Sequence, residues 1–564
     1  MQLRTDPLLP NQWHIQNIGQ NAFSSTYPTY GNDMNVAAVW TSGYSGRGIK
    51  VGVVDTGLEA AHEDLAANVD LSHSYNFLTG TNDPTRATSD VGFDHGTSVA
   101  GIIGAVAFNG KGGRGVAYNA RLRGYNLLAP TLPFSATNMA KAMGSDPISA
   151  DNDVFNGSFH LGSAPGLPQF SGTYQQITSN TKTLRNGLGA AIVISAGNDF
   201  QHWPSSTYNY LCQSANQYNV SCGDPASDER RGGSVPIIIG TLNADGVHAS
   251  YSNTGSSLWV SAPGGEYGFN NTYVPGASDP NLYKPAIVTT ARSGCQNSMV
   301  SPSQYPNGVN ALDSNGQNAS ASNCQYTALM NGTSSATPNT AAVVALMLEA
   351  NPNLSVRDIK HILAKTAKRV DPAFSGISPN TIISGSAIVL EQGWVTNAAG
   401  WTFSNRYGFG GVDANAAVNM AKTYTSYLPA QQSNQGSYTY TAPPPGTITP
   451  YSATGNYLTF QVSESFSTVE QVVVFLNITS SPGLYCNQVD LTSPSGTKSI
   501  LFHAMNGFNN ASVVDSRILS NTFYGEPVNG TWKLRFFDFC AASSTPTQIS
   551  TDVNHPQQLL ITGH

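Results

Sequence analysis

The sequence predicts an α/β domain built on a parallel sheet, followed by a smaller all-β domain. Three observations predict it. Short β-branched runs alternate with helical patterns over residues 1–428, and such alternation signals a parallel sheet covered by helices. A stretch rich in Pro, Ser, Thr, Gln and Tyr then interrupts the pattern. Beyond it only short alternating runs remain, separated by Asn, Gly and Pro turns, as in a β-sandwich or barrel. The 564 residues are enough for two domains that each bury a core.

Taken in order, Lys50–Val54, Ala191–Ser195 and Val235–Gly240 read as buried strands, because each is short, β-branched and has glycine close by. Thr337–Ala350 is the clearest helix, an apolar segment with Pro338 near its start, where a missing N–H is tolerated. Pro443–Pro445 and its polar flanks read as a linker. Leu458–Val462 and Val472–Leu476 read as strands of the second domain. The expected units are residues 1–428, a linker over 429–450, and a β domain over 451–564.

Composition narrows the function classes. Charged residues are 10% of the chain, against about 25% in an average globular protein, which excludes a coiled coil and highly charged disorder. The net charge is −7 and no long Lys/Arg run occurs, so a nucleic-acid backbone is not the main ligand. The longest apolar stretches, such as Ala341–Leu348, are far short of the ~20 residues of a membrane span. Six cysteines, none in a C-x-x-C pair, suit an oxidising, extracytoplasmic compartment. They allow fifteen pairings that sequence alone does not resolve; neighbour pairing closes the shortest loops and is the expectation. Met1 is followed by no basic-then-apolar signal region, so a trimmed signal segment is expected upstream.

Three segments carry chemistry. Val51-Gly-Val-Val-Asp55-Thr-Gly57 delivers an aspartate at the carboxyl end of a strand. Asp94-His95-Gly-Thr-Ser-Val-Ala-Gly101 places a histidine where a helix should begin. Asn331-Gly-Thr-Ser334-Ser-Ala-Thr-Pro338 places a serine at the mouth of the long apolar helix. Strand carboxyl ends and helix N-termini are where open α/β sheets bind ligands. A serine hydroxyl needs a base to take its proton, and the imidazole needs a buried carboxylate to fix its tautomer. Singly, each residue is more often a cap or a turn residue. Together and in the order Asp, His, Ser they point to acyl transfer.

These motifs resemble those of the subtilisin-like serine proteases, and the resemblance runs over essentially the whole chain. Arg4–Trp13, Leu58–Leu65 and Gly115–Arg121 are similar to segments of the kexin/furin branch. Leu491–Thr497 and Phe523–Trp532 resemble the jelly-roll P domain that accompanies kexin-type catalytic domains. Secreted bacterial kexin-like proteases of the Aeromonas type are the nearest kind. The resemblance implies that Ser334 is the nucleophile, His95 the general base and acid, Asp55 the orienting carboxylate and Asn198 the oxyanion donor. It also implies a Ca²⁺ site formed by Asp6, Asp64, the Asn109 side chain and the carbonyls of Val106, Lys111 and Gly113. That oxygen-only set suits calcium. A second calcium of the branch lacks its carboxylate, since Asn253 falls at that position.

Specificity is where the chain departs from the branch. The acidic residue that follows the catalytic aspartate there is Thr56 here, which weakens a demand for paired basic residues. Asp224 falls near the branch's primary-pocket aspartate, and Asp153 and Asp94 are weaker candidates for binding basic side chains. Gly157-Ser158-Phe159 matches the edge strand that pairs with extended substrate. The expected activity is a secreted, calcium-dependent serine endopeptidase acting on proteins or peptides, cutting after Lys or Arg. A propeptide or a dedicated chaperone is an expected folding partner. The alternative from another class is an inactive protease fold used for binding or adhesion, against which the filled catalytic positions argue. An esterase would carry a G-x-S-x-G elbow, absent around Ser334.

Overall fold

The structure is a computed structural model and describes residues 5–87, 93–161, 166–169, 172–201, 209–297, 299, 304–314, 324–434, 446–480, 483–540, 546–550 and 555–564. The Pro443–Pro445 segment read as linker lies outside the described residues.

Seven parallel strands form the central sheet: β1 (Lys50–Asp55), β2 (Tyr75–Asn76), β3 (Arg121–Asn126), β4 (Val154–Gly157), β5 (Ala191–Ser195), β6 (Ile237–Leu242) and β7 (Val260–Pro263), in the order β2-β3-β1-β4-β5-β6-β7. Alternate residues feed two cores. Val51, Val53, Val193 and Ile239 face one layer, while Val54, Phe155, Ile192 and Ile238 face the other. The helices are α1 (Val36–Thr41), α2 (His95–Gly104), α3 (Ala136–Ala140), α4 (Thr173–Thr183), α5 (Asn209–Tyr218), α6 (Thr333–Ala350), α7 (Val356–Thr366) and α8 (Ala414–Lys422). Helix α6 is buried along its length except at Ser334, Glu349 and Ala350, and lies against α2, α8 and the sheet. An antiparallel pair, β8 (Ile287–Thr290) and β9 (Tyr326–Met330), supports α2 and leads into α6. Two short hairpins follow, β10 (Gly376–Ile377) with β11 (Glu391–Gln392) and β12 (Val395–Thr396) with β13 (Thr402–Phe403).

The C-terminal unit is an antiparallel sandwich. One sheet joins β14 (Gln432–Ser433), β16 (Val469–Thr479), β19 (Ser512–Ser520), β21 (Gln548–Ile549) and β22 (Gln558–Gly563). The other runs β15-β20-β17-β18, from Asn456–Val462, Gly530–Asp538, Asn487–Thr492 and Lys498–Phe502. Phe460, Leu491, Trp532 and Ile561 are among the buried residues between them. The two units share core. Val473 and Leu519 of the sandwich pack with Val54, Phe155 and Ile192, and Asn521 Nδ2 donates to the Ser257 and Leu258 carbonyls at 2.8 and 3.0 Å.

Several element boundaries differ from the sequence expectation: β1 runs on to Asp55, and β15 and β16 extend to Asn456–Val462 and Val469–Thr479. Strand β6 begins at Ile237 rather than Val235, because Pro236 has no N–H for the ladder. Helix α6 begins at Thr333, so Pro338 lies inside it rather than near its start. All three disulfides join neighbours: Cys212–Cys222, Cys295–Cys324 and Cys486–Cys540, with Cα separations of 5.2, 5.0 and 5.2 Å.

Candidate active site

Strand β1 ends on Asp55, which is wholly buried, and α2 starts on His95, which is partly open to the cleft. His95 Nδ1 lies 2.9 Å from both Asp55 oxygens. Carboxylate oxygens only accept, so Nδ1 carries the proton and Nε2 is left for the cleft. Burial disfavours the imidazolium, but the charge and hydrogen bond of Asp55, joined by the charge of Asp94, outweigh it and raise the His95 pKa above 6.5. The approach of α2 to β1 demands glycine at position 96. A Cβ there would sit 1.8 Å from the Gly57 carbonyl oxygen.

Ser334 is the second residue of α6. The turn before it passes through Gly332 at φ +92°, and a Cβ there would lie 3.1 Å from Asn198 Nδ2. The Gly332 N–H donates to Tyr251 Oη at 2.8 Å. Asn198, three residues beyond β5, accepts from the Thr333 N–H and Oγ1 at 2.8 Å each. A backbone N–H can only donate, so Oδ1 faces Thr333 and Nδ2 is turned away from it, on an exposed residue beside Gly332. Asn253 holds the same turn at both ends, accepting from the Asp199 N–H at 2.7 Å and donating to the Ala196 carbonyl at 3.3 Å.

Pro338 removes the intrahelical bond that the Ser334 carbonyl would accept. Ser158 Oγ supplies the replacement at 3.0 Å and is itself held by Asn156 Nδ2 at 2.9 Å. In return Ser334 Oγ donates to the Ser158 carbonyl at 3.0 Å. No hydrogen bond joins Ser334 Oγ to His95 Nε2 in this arrangement, so the hydroxyl must turn from Ser158 to reach the base. The components for nucleophilic catalysis thus gather at the carboxyl ends of the neighbouring strands β1, β4 and β5: an oriented imidazole, a hydroxyl at a helix N-terminus, and an amide locked by its own oxygen.

The remaining sequence-predicted residues occupy different surroundings. Of the Gly157-Ser158-Phe159 segment, Gly157 ends β4, paired with β5 but beyond the last β1 partner at Asn156, and Ser158 and Phe159 lie clear of the sheet. Asp153 accepts the Lys50 N–H at the opposite end of β1 from Asp55. Asp94 is fully buried. Asp224 is 5% exposed and caps a short 3₁₀ turn through the Ala226 N–H at 2.8 Å, and burial pushes its pKa up to about 7. It belongs to a charged cluster behind Ser158–Leu161. Asp228 accepts the Leu161 N–H at 2.9 Å and pairs with Arg230, whose guanidinium stacks 4.2 Å from the Phe159 ring. Arg231 sits among Asp228, Asp199 and Asp224, wholly buried.

The residues expected to hold calcium do meet. Asp6 and Asp64 approach the 106–113 loop, where Phe108 and Asn109 N–H groups donate to Asp6 at 3.0 and 3.2 Å. Asp64 Oδ2 is buried with no hydrogen-bond partner, and burial, aided by the charges of Asp6 and Glu63, pushes its pKa up to about 8. The carbonyls of Val106, Lys111 and Gly113 accept no hydrogen bond among the described residues. An unpaired buried carboxylate oxygen beside free carbonyls fits a hard divalent cation. Two details differ from expectation. Asn109 turns Nδ2 to Asp64 at 2.6 Å, because its Oδ1 accepts the Lys111 N–H at 2.8 Å. Arg114 already takes one oxygen of Asp6, at 2.7 Å.

Sequence reasoning missed Thr333, Tyr251, Asn156 and the role of Asn253. Thr333 lay inside the serine motif and was within reach. The others act through contacts across 54–81 positions or through a neighbour two residues away, which no local pattern reveals.

The Subtilase family profile matches residues 46–410, and the Proprotein convertase P-domain profile matches residues 469–549. The Aeromonas extracellular serine protease of Aeromonas sobria is 36% identical over 558 residues, covering 94% of this chain and 84% of its own length. The Microbial serine proteinase of Aeromonas salmonicida is 32% identical over 573 residues, covering 96% and 86%. Among solved structures, that of the Aeromonas sobria serine protease in complex with its chaperone superposes with a TM-score of 0.86 at 30% identity, over 100% of this chain and 95% of the other.

The geometry at His95 makes a titration prediction. In the Ser334→Ala protein the imidazole should titrate above pH 6.5 by NMR, and Asp55→Asn should lower that value, since burial then acts with less opposition. An imidazole that titrates at or below 6.5 in both proteins would contradict the assigned contact.

Proposed function

The chain belongs to the subtilase family of serine proteases and carries a proprotein convertase P domain, and from that premise we propose a secreted, calcium-dependent endopeptidase that works through Asp55, His95 and Ser334. The observation that carries the reading is the His95 ring pinned by Nδ1 between both oxygens of a buried aspartate, at the end of the sheet where α6 presents Ser334. Substrate backbone adds to the segment after β4 and uses its carbonyls. Ser334 Oγ leaves the Ser158 carbonyl, gives its proton to His95 Nε2 and attacks the scissile carbonyl. Asp55 holds the resulting imidazolium. Asn198 Nδ2 and the Ser334 N–H donate to the developing oxyanion. His95 then passes the proton to the departing amine, and water repeats the sequence to free the acyl group.

Calcium is proposed for the Asp6–Asp64 site, held by those two carboxylates with the Val106, Lys111 and Gly113 carbonyls. When bound it neutralises crowded acids and ties the N-terminal segment to the loop after α2. Secretion is supported by three disulfides and by the likeness to an extracellular protease. The likeness to a protease solved with its chaperone supports a dedicated folding partner, and its substrates are proteins or peptides. A preference for Lys or Arg at the cleavage site is supported by the Asp199, Asp224 and Asp228 cluster, which Arg230 and Arg231 neutralise only in part.

Three measurements test this. Ser334→Ala should fold and lose about 10⁶-fold in kcat, and should not label with a fluorophosphonate; residual turnover above a few per cent refutes the nucleophile. Added calcium should raise the Tm of Ser334→Ala over a chelated sample, and Asp64→Asn should erase the difference; identical curves count against the site. Asp224→Asn should lower kcat/KM for Arg peptides relative to Leu peptides by about tenfold. An unchanged ratio would leave Asp224 as a turn cap alone.

A further inference from the structure

We infer that Asp94 and Thr56 are positioning residues of the reaction, a sealed carboxylate–hydroxyl clamp that fixes the start of α2 against the end of β1 and so holds His95 to Asp55. The inference rests on the reading that Asp55 and His95 act in catalysis. Asp94 immediately precedes His95, Thr56 immediately follows Asp55, and the two side chains meet. Thr56 Oγ1 donates to Asp94 Oδ1 at 2.6 Å, and Thr97 Oγ1 donates to Asp94 Oδ2 at 2.7 Å.

The direction of these bonds follows from the backbone. The Gly96 N–H donates to Thr56 Oγ1 at 3.1 Å, and the Glu59 N–H donates to Thr97 Oγ1 at 2.8 Å. Each hydroxyl is therefore already an acceptor, so its own proton points at Asp94. Asp94 receives one proton donor on each oxygen, the pattern that favours an ionised carboxylate, while burial and the Asp55 charge push its pKa up from the ordinary value. It is fully buried and makes no side-chain cap to its own helix; the Thr56 hydroxyl takes the Gly96 N–H instead. The Thr56 N–H donates to Asp55 Oδ1 at 2.7 Å, so one residue touches both carboxylates that flank His95.

A negative charge at the N-terminus of α2 is favoured by the helix dipole. It also faces the ring that must become positive during acyl transfer. The charges that act on His95 are Asp55 and Asp94, and Arg292 is the cation that acts on Asp94. The Thr56 hydroxyl proton is committed to Asp94 and one of its lone pairs to the Gly96 N–H. The position therefore serves the catalytic base and brings no charge to a basic substrate side chain.

The test is a pH profile of kcat/KM, with active sites counted by fluorophosphonate. Asp94→Asn removes the charge and should move the acid limb to lower pH. Thr56→Val should lower kcat about 10- to 100-fold through misplacement of His95, with KM little changed, and Thr56→Ser should restore it. An Asp94→Asn limb that superimposes on wild type, or a Thr56→Val protein with wild-type kcat, overturns the inference. Should Asp94→Asn not fold, the Thr56 pair decides by kcat alone. Failure of the wild-type chain to label would overturn the catalytic reading itself.

Discussion

A polar helix start buried in an apolar core is the constraint on which the catalytic unit depends. From Ala341 to Leu348 helix α6 is wholly buried, and that burial fixes its axis. The unpaired groups of its first turn then lie inside the protein, where each one left alone costs about 1–3 kcal/mol. Pro338 adds one more by freeing the Ser334 carbonyl. The structure answers three of them with side chains from three different loops: Asn198 after β5 for the Thr333 N–H, Tyr251 between β6 and β7 for the Gly332 N–H, and Ser158 after β4 for the Ser334 carbonyl. The bonds that allow the helix to be buried are the bonds that surround Ser334. Stability and chemistry therefore draw on the same contacts at this end of the sheet.

Charge is handled in the same economical way. With only 10% charged residues, the chain places several of them inside and pairs them there. Asp94 is held by two hydroxyls, Asp228 by Arg230, and Asp6 by Arg114. Asp64 is the exception near the N-terminus, with an oxygen that no protein donor reaches. Such an oxygen is costly in the bare protein, and a bound cation removes the cost.

Much of this was legible in the sequence. Strand β5 was read at its true ends, and the three chemical segments were found because each combines a strand end or helix start with a reactive side chain. The parallel sheet and the β-sandwich followed from the change of period after residue 428. What stayed hidden shares one cause, which is that local pattern cannot report a distant partner. Pro338 marks a helix start in isolation, yet it is tolerated within α6 because Ser158 lies 176 positions away in sequence. Asp224 has the neighbours of a pocket acid in sequence and the hydrogen bond of a turn cap in space. Asn253 reads as a lost carboxylate, whereas its amide needs both a donor and an acceptor to span the Ala196–Asp199 turn.

The central claim is that the first turn of α6 and the Asn198 amide together form the site where negative charge develops. Steady-state kinetics of Asn198→Ala test it most directly, because that substitution removes one donor and leaves Asp55, His95 and Ser334 in place. The account predicts a fall in kcat of about 10²–10³ with KM nearly unchanged, the mark of an interaction made only in the transition state. A rise in KM at constant kcat, or no change in either, would contradict it.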